Sequence, residues 1–344
     1  MRRLNVWAVA AGLVVILLLV GLVSAQPTVV SAAAAPARVL TGIAYAPPEP
    51  AGSAGHLLDL YLPPRRAKPA PVVLWSRGSA WFAEDGRSGA DAVAAQLNPY
   101  GYAVAGVSVR SSTSARFPGQ LHDIKAAVRF LRAHAARYHL DAGRFAAMGE
   151  SSGGWVAAMA AVTSDVASFD GRLGVLGPSS RVQAAVSIYP PTDFLRMDAA
   201  APPCVPVRDR FRVGDCHTDP ASPESRLLGC PITTCRDLAR QADPATYANR
   251  RVPPVLLLHG RQDVLVPWQQ SAHLYRALAA ACRDATLVLL PRPGHGVWQR
   301  FLTDPTLNAG ATVESSRGCR REPARPVRLD WPYLVGFLDR ALRR

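Results

Sequence analysis

The chain has 344 residues, 49% of them hydrophobic, with 39 Lys and Arg against 25 Asp and Glu and a formal net charge of +14. That length and apolar fraction support one sizeable core with appendages and exclude a chain disordered throughout. The positive charge raises nucleic acid as a partner, but the basic residues are spread over helix faces and loops without a nucleic-acid motif, so a solvated basic surface is the plainer reading.

The chain opens Met1-Arg2-Arg3-Leu4-Asn5, continues through an uncharged apolar stretch over 6–23 and leaves it at Ser24-Ala25-Gln26-Pro27. A basic start, apolar middle and small-residue exit read as a signal peptide over 1–26. The stretch is also close to the minimum for a membrane span, so an uncleaved anchor is the alternative. Both forms predict an extracytoplasmic protein, secreted or membrane-anchored, with membrane or cell-envelope association through this segment. Residues 27–50, rich in Ala, Pro and Val, read as a spacer. The folded domain is then expected over 51–344.

Val72-Val73-Leu74-Trp75 predicts a buried strand that opens into Ser76-Arg77-Gly78-Ser79-Ala80-Trp81. A second apolar run, Phe145-Ala146-Ala147-Met148, leads into Gly149-Glu150-Ser151-Ser152-Gly153, and a helix-like stretch follows over 155–162. This context reads as a nucleophile elbow, in which a serine is exposed on a tight strand-to-helix turn where a histidine can take its proton. Ser151 holds the central position and Ser152 is the competing hydroxyl. The N–H groups of Ser152, Ser79 and Gly78 are the expected oxyanion donors, because acyl transfer needs backbone donors aimed at the developing charge.

A strand is expected near 184–189, and an insert rich in Pro, Arg and Cys follows over about 197–249, read as a cap over Ser151. Val255-Leu256-Leu257-Leu258 then suits a strand buried on both faces and opens into His259-Gly260-Arg261-Gln262-Asp263. A helical pattern over 269–282 supplies the crossover that parallel strands require. The last apolar run, Ala285-Thr286-Leu287-Val288-Leu289-Leu290, passes through Pro291-Arg292-Pro293-Gly294 to His295. Asp263 is read as the acid that orients the ring and His295 as the base. His259 precedes the acid and is read as a prop for the Asp263 loop. Residues 303–329 read as a loop, and a final helix is expected around Pro332.

Cys204, Cys216, Cys230, Cys235, Cys282 and Cys319 are even in number and lie late in the chain, as in disulfide-bonded proteins of an oxidising compartment. Sequence alone leaves their pairing open; nearest neighbours are taken as the expectation. The Cys230 and Cys235 spacing lacks a second pair with histidines, and His217 beside Cys216 does not complete one, so no metal is expected.

Several blocks, taken together with these motifs, resemble the α/β-hydrolase superfamily. They include Leu58-Asp59-Leu60-Tyr61-Leu62-Pro63, Asp123 to Arg132, Asp141 to Phe145, Tyr189-Pro190-Pro191-Thr192-Asp193, and Ser222-Pro223-Glu224-Ser225. The resemblance is closer to the bacterial feruloyl/acetylxylan-esterase-like branch, related to hormone-sensitive-lipase-type carboxylesterases. In that family's His-Gly-Gly-Ala-Trp loop, Arg77 replaces the histidine and Ser79 a glycine. The resemblance implies an α/β fold with a mostly parallel central sheet, helices on both faces and a small disulfide-containing cap. It further implies a serine hydrolase cleaving small-molecule carboxylic esters with no metal or organic cofactor. Two alternatives are an arylformamidase-like amidohydrolase with the same triad and a hydrolase-fold binding protein impaired by Arg77 and Ser79.

Overall fold

Short apolar runs covered on both faces dictate the architecture. The computed structural model describes residues 38–65, 67–200, 204 and 216–342. Its strands are β1 (Arg38–Ala44), β2 (Leu57–Leu62), β3 (Ala70–Ser76), β4 (Ala103–Val107), β5 (Leu140–Glu150), β6 (Ala184–Ile188), β7 (Val255–Gly260), β8 (Ala285–Leu290), β9 (Thr312–Arg317) and β10 (Arg320–Pro326). They form one sheet in the order β1-β2-β4-β3-β5-β6-β7-β8-β9-β10. The strands from β4 across to β8 are parallel, and antiparallel pairs close both ends. Every residue of β4, β6 and β7 is buried, as required of strands with helices on both faces.

Alternation along β3 divides the interior into two cores. Val72 and Leu74 join a layer with Leu121, Ile124, Trp155 and Leu274, contributed by the helices Gly119–Ala133, Ser152–Val162 and Gln269–Ala280. Val73 and Trp75 point the other way, to Val93, Leu97, Leu334 and Leu338 on the helices Ala90–Leu97 and Trp331–Leu342. The expected strands and crossover helix are all present, and the sheet is mostly parallel.

The stretch 303–329, expected to be a loop, instead carries β9 and β10, a hairpin laid antiparallel on β8. The turn chemistry at Gly318, with a positive φ of 57°, was readable, but Pro323 and Pro326 disguise the second strand. Proline is tolerated there because β10 is an edge strand, where a missing N–H faces no partner.

The cysteines pair as neighbours along the chain: Cys204 with Cys216, Cys230 with Cys235, Cys282 with Cys319. The first two bonds lie in the insert, whose helix Pro223–Leu228 is capped by the Ser222 side chain and closed by Gly229 at φ 78°. The third ties the end of the crossover helix region to the β9–β10 turn.

The expectation of a membrane-anchored, extracytoplasmic protein is corrected. No helix among the described residues is long and apolar enough to cross a membrane. The segment 1–26, on which the signal or anchor reading rests, and residues 27–37 of the spacer lie outside the described residues, while the rest of that stretch carries β1 (Arg38–Ala44).

The Cys282–Cys319 bond closes 37 residues of chain. By the loop-entropy relation, Cys282→Ser with Cys319→Ser is expected to cost about 3–4 kcal/mol in urea unfolding. A midpoint unchanged from wild type would remove the hairpin staple as a stabilising element.

Candidate active site

β5 ends at a backbone position that a side chain tolerates poorly. Ser151 has φ 55° and ψ −127°, and the helix Ser152–Val162 starts at the next residue. Such strain holds a hydroxyl up at a strand end. Two glycines permit the approach: a Cβ on Gly153 would stand 2.0 Å from the Ser76 carbonyl oxygen, and one on Gly149 2.3 Å from that of Gly153. A Cβ on Gly78 would meet the Ser151 Cβ at 2.5 Å, so the loop after β3 also needs its glycine.

The three residues read as nucleophile, base and acid converge at the carboxyl ends of β5, β8 and β7. Ser151 Oγ lies 2.9 Å from His295 Nε2, and His295 Nδ1 lies 2.7 Å from Asp263 Oδ2. A carboxylate only accepts, so Nδ1–H donates to Asp263 and Nε2 is left to accept from the serine. Asp263 Oδ1 accepts the N–H groups of Leu265 and Val266 at 3.0 and 2.9 Å. Burial acts to raise the pKa of Asp263, but His295 and His259 outweigh it and hold the carboxyl well below the usual carboxylate range. His259 props this loop as expected, with Nε2 on the Val266 carbonyl at 2.8 Å and Nδ1 on Ser271 Oγ at 2.7 Å.

The loop after β3 is held by Glu150, which sequence reasoning passed over, and by the Ser152 hydroxyl. The Gly78 N–H donates to Glu150 Oε1 at 2.9 Å, and the Ser79 N–H donates to Ser152 Oγ at 2.9 Å. Glu150 is buried, and its other oxygen accepts from the Tyr189 hydroxyl at 2.7 Å. Burial, then the adjacent Glu150 charge, pushes the Tyr189 phenol well up, so it stays a donor. The available signal was an acidic residue directly before the nucleophile, in a turn too tight for it to reach solvent. Ser79 itself has no positive φ; the left-handed positions fall on Ala80 (51°) and Trp81 (59°). Trp81 packs edge-on against Trp155 and Phe194, with ring centroids 5.4 and 5.7 Å apart, and so belongs to the core.

A cavity of about 290 Å³ opens over Ser151 and His295, lined also by Arg77, Ser79, Asp85, Glu150, Leu265, Trp298 and Gln299. Arg77 Nη1 donates to Asp85 Oδ2 at 2.9 Å across its wall. The cysteines once weighed as metal ligands are disulfide-bonded.

A doubly covered parallel sheet with a Ser–His–Asp network at its carboxyl edge defines an α/β-hydrolase of the serine type. The chain belongs to the BD-FAE family, whose model matches residues 58–278. It is 32% identical over 203 residues to the probable carboxylic ester hydrolase LipM of Mycobacterium tuberculosis (strain ATCC 25618 / H37Rv), covering 59% of this chain and 43% of that one. The chain spans about half the length of the curated relatives it matches, from 43% to 57%. Among solved structures it resembles a truncated carbohydrate esterase from gut microbiota, with TM-score 0.67, 30% identity and coverage of 76% of this chain and 90% of that one. It also resembles a bifunctional GH43-CE protein of Bacteroides eggerthii, with TM-score 0.66, 34% identity and coverage of 75% and 35%.

Two predictions follow from the buried carboxylates. Glu150→Ala strands the Gly78 N–H and the Tyr189 hydroxyl, an expected loss of about 1–3 kcal/mol for a buried unpaired group, with Glu150→Gln milder; wild-type urea stability in the alanine variant would contradict it. Asp263 is more acidic folded than unfolded, so its charge stabilises the fold above an unfolded value of about 3.9 and that contribution is lost as pH falls below it. Asp263→Asn should therefore flatten the stability curve below about pH 4, measured by urea unfolding across pH; an unaltered slope would refute the assignment.

Proposed function

We propose that the protein is a serine carboxylesterase in which Ser151, His295 and Asp263 act as nucleophile, base and acid. The observation that carries this is the continuous chain of hydrogen bonds from the strained Ser151 through His295 to Asp263, at 2.9 and 2.7 Å. Ser151 Oγ attacks the ester carbonyl while His295 takes its proton, and the imidazolium is stabilised by Asp263. The tetrahedral oxyanion accepts from the Ser152 N–H and from the Ser79 N–H, which exchanges Ser152 Oγ for the substrate oxygen. The Gly78 N–H, committed to Glu150, sets the loop's position. Collapse expels the alcohol, protonated by His295, and leaves an acyl-enzyme. Water then surrenders a proton to His295 as it attacks the acyl carbon, and the acyl–Oγ bond breaks as His295 returns that proton to Ser151, releasing the acid.

The reading extends to substrate class. The cavity is small and largely polar, with Arg77, Asp85 and Gln299 around the reacting atoms, a lining that suits a short acyl group and a hydroxyl-rich alcohol. The likeness to a structure titled a carbohydrate esterase supports the same class. Short-chain esters of sugars are therefore the proposed substrates.

Hydrolysis of p-nitrophenyl acetate, p-nitrophenyl octanoate and an acetylated oligosaccharide tests this, with N-formyl anilides as the amidohydrolase comparison. The acetyl esters should turn over fastest. Ser151→Ala should lose on the order of 10⁶ in kcat and labelling by a fluorophosphonate; Asp263→Asn should lose on the order of 10⁴. Undiminished turnover in Ser151→Ala would sink the triad, and preference for the octanoate would sink the substrate class.

A further inference from the structure

The loop carrying Asp263 is gripped from outside the parallel core. Leu265 and Val266 give their N–H groups to Asp263, and each carbonyl of the same pair meets a buried imidazole. His259, at the end of β7, takes the Val266 oxygen. His217 takes the Leu265 oxygen through Nε2 at 2.9 Å, and it comes from the insert, one residue after Cys216 of the Cys204–Cys216 bond. Its ring is 3% exposed, and its Nδ1 lies 3.1 Å from Glu224 Oε1, itself 4% exposed.

Both partners of that ring are acceptors. Nε2 donates to the Leu265 carbonyl, while Nδ1 faces Glu224 at ion-pair distance rather than in an aligned hydrogen bond. Burial opposes a positive charge on the ring; Glu224, and then Asp198, whose carboxylate accepts the N–H groups of His217 and Thr218, outweigh it and raise the ring's proton affinity. The hydrogen bonds run from His217 through the Leu265 peptide to Asp263 Oδ1, with Glu224 in ion-pair contact behind the ring. Leu265 also lines the catalytic cavity, so displacement of this peptide reaches the substrate side as well as the acid.

We propose that His217 is a positioning residue for the triad, through which the disulfide-bonded insert holds the Leu265 peptide and thereby the Asp263 carboxylate in register with His295. The insert is then a working support of the catalytic acid, and the Cys204–Cys216 bond acts by fixing where His217 stands. This rests on Asp263 serving as the triad acid.

The test uses the full chain on p-nitrophenyl acetate, with each variant assayed well below its own unfolding midpoint. A structural role alone lowers the midpoint; a positioning role lowers kcat in molecules that remain folded. His217→Ala should lower kcat about tenfold or more with KM within about twofold, as small displacements of a reacting group do. His217→Gln, which keeps an amide N–H for the Leu265 oxygen, should recover most of the loss. Cys204→Ser with Cys216→Ser should also lower kcat, and adding His217→Ala to that pair should fall no further than His217→Ala alone. Wild-type kcat in folded His217→Ala overturns the proposal, as does a glutamine variant no better than alanine or losses that simply multiply. If His217→Ala does not fold, the cysteine pair decides alone: unchanged kcat overturns the proposal. Failure of the triad reading is separable, because it shows as Ser151→Ala retaining activity and wild type resisting the fluorophosphonate.

Discussion

The close contact between Gly153 and the Ser76 carbonyl sets the rest of the site. It lets the helix Ser152–Val162 dock where β3 and β5 end, and that docking forces Ser151 to φ 55°. The strained turn survives because its surroundings over-determine it: the helix behind it is buried on every side, and the Ser151 N–H donates to the Ile188 carbonyl of β6. Any side chain larger than a hydrogen at Gly153 would push helix from strand and lower the serine away from His295. The nucleophile's reactivity thus depends on backbone packing several residues from its own hydroxyl.

Two buried carboxylates then organise the surfaces around that serine, in different ways. Asp263 spends one oxygen on the N–H groups of its own loop and the other on His295, so its charge is fully solvated by protein donors. Glu150 spends its oxygens on Gly78 and Tyr189, which fixes the loop opposite the base. A buried charge without such partners would be costly, and a partner removed leaves the other exposed to that cost. Both carboxylates therefore bind elements distant in the chain into one frame, with β3, β5, β6, β7 and β8 all represented.

The sheet arrangement explains why these elements meet. Parallel strands deliver successive loops to one edge, so residues after β3, β5, β7 and β8 face a common cavity although Ser151 and His295 are 144 positions apart. The insert between β6 and β7 has short helices, two disulfides and the buried His217–Glu224 contact. Among its described apolar residues, Met197, Leu227, Leu228, Ile232, Ala239 and Ala242 are buried in the main core, so these covalent and ionic ties act together with apolar packing.

What the sequence determined by itself was local in origin. Continuous apolar runs announced β3, β5, β7 and β8, because strands covered on both faces have no polar period; Gly149, Gly153 and the serine between them announced the elbow; the order Ser151, Asp263, His295 announced the network. The β9–β10 hairpin escaped notice because its prolines are acceptable only at a sheet edge, and edge position is a tertiary property. The tertiary structure alone decided that the Gly78 N–H belongs to Glu150, 72 residues away, and that His217 reaches Leu265 across 48. Such contacts join groups whose individual residue types are ordinary at their positions, so no local pattern marks them. They exist because the sheet brings separate loops to one edge and each buried polar group there must find a partner.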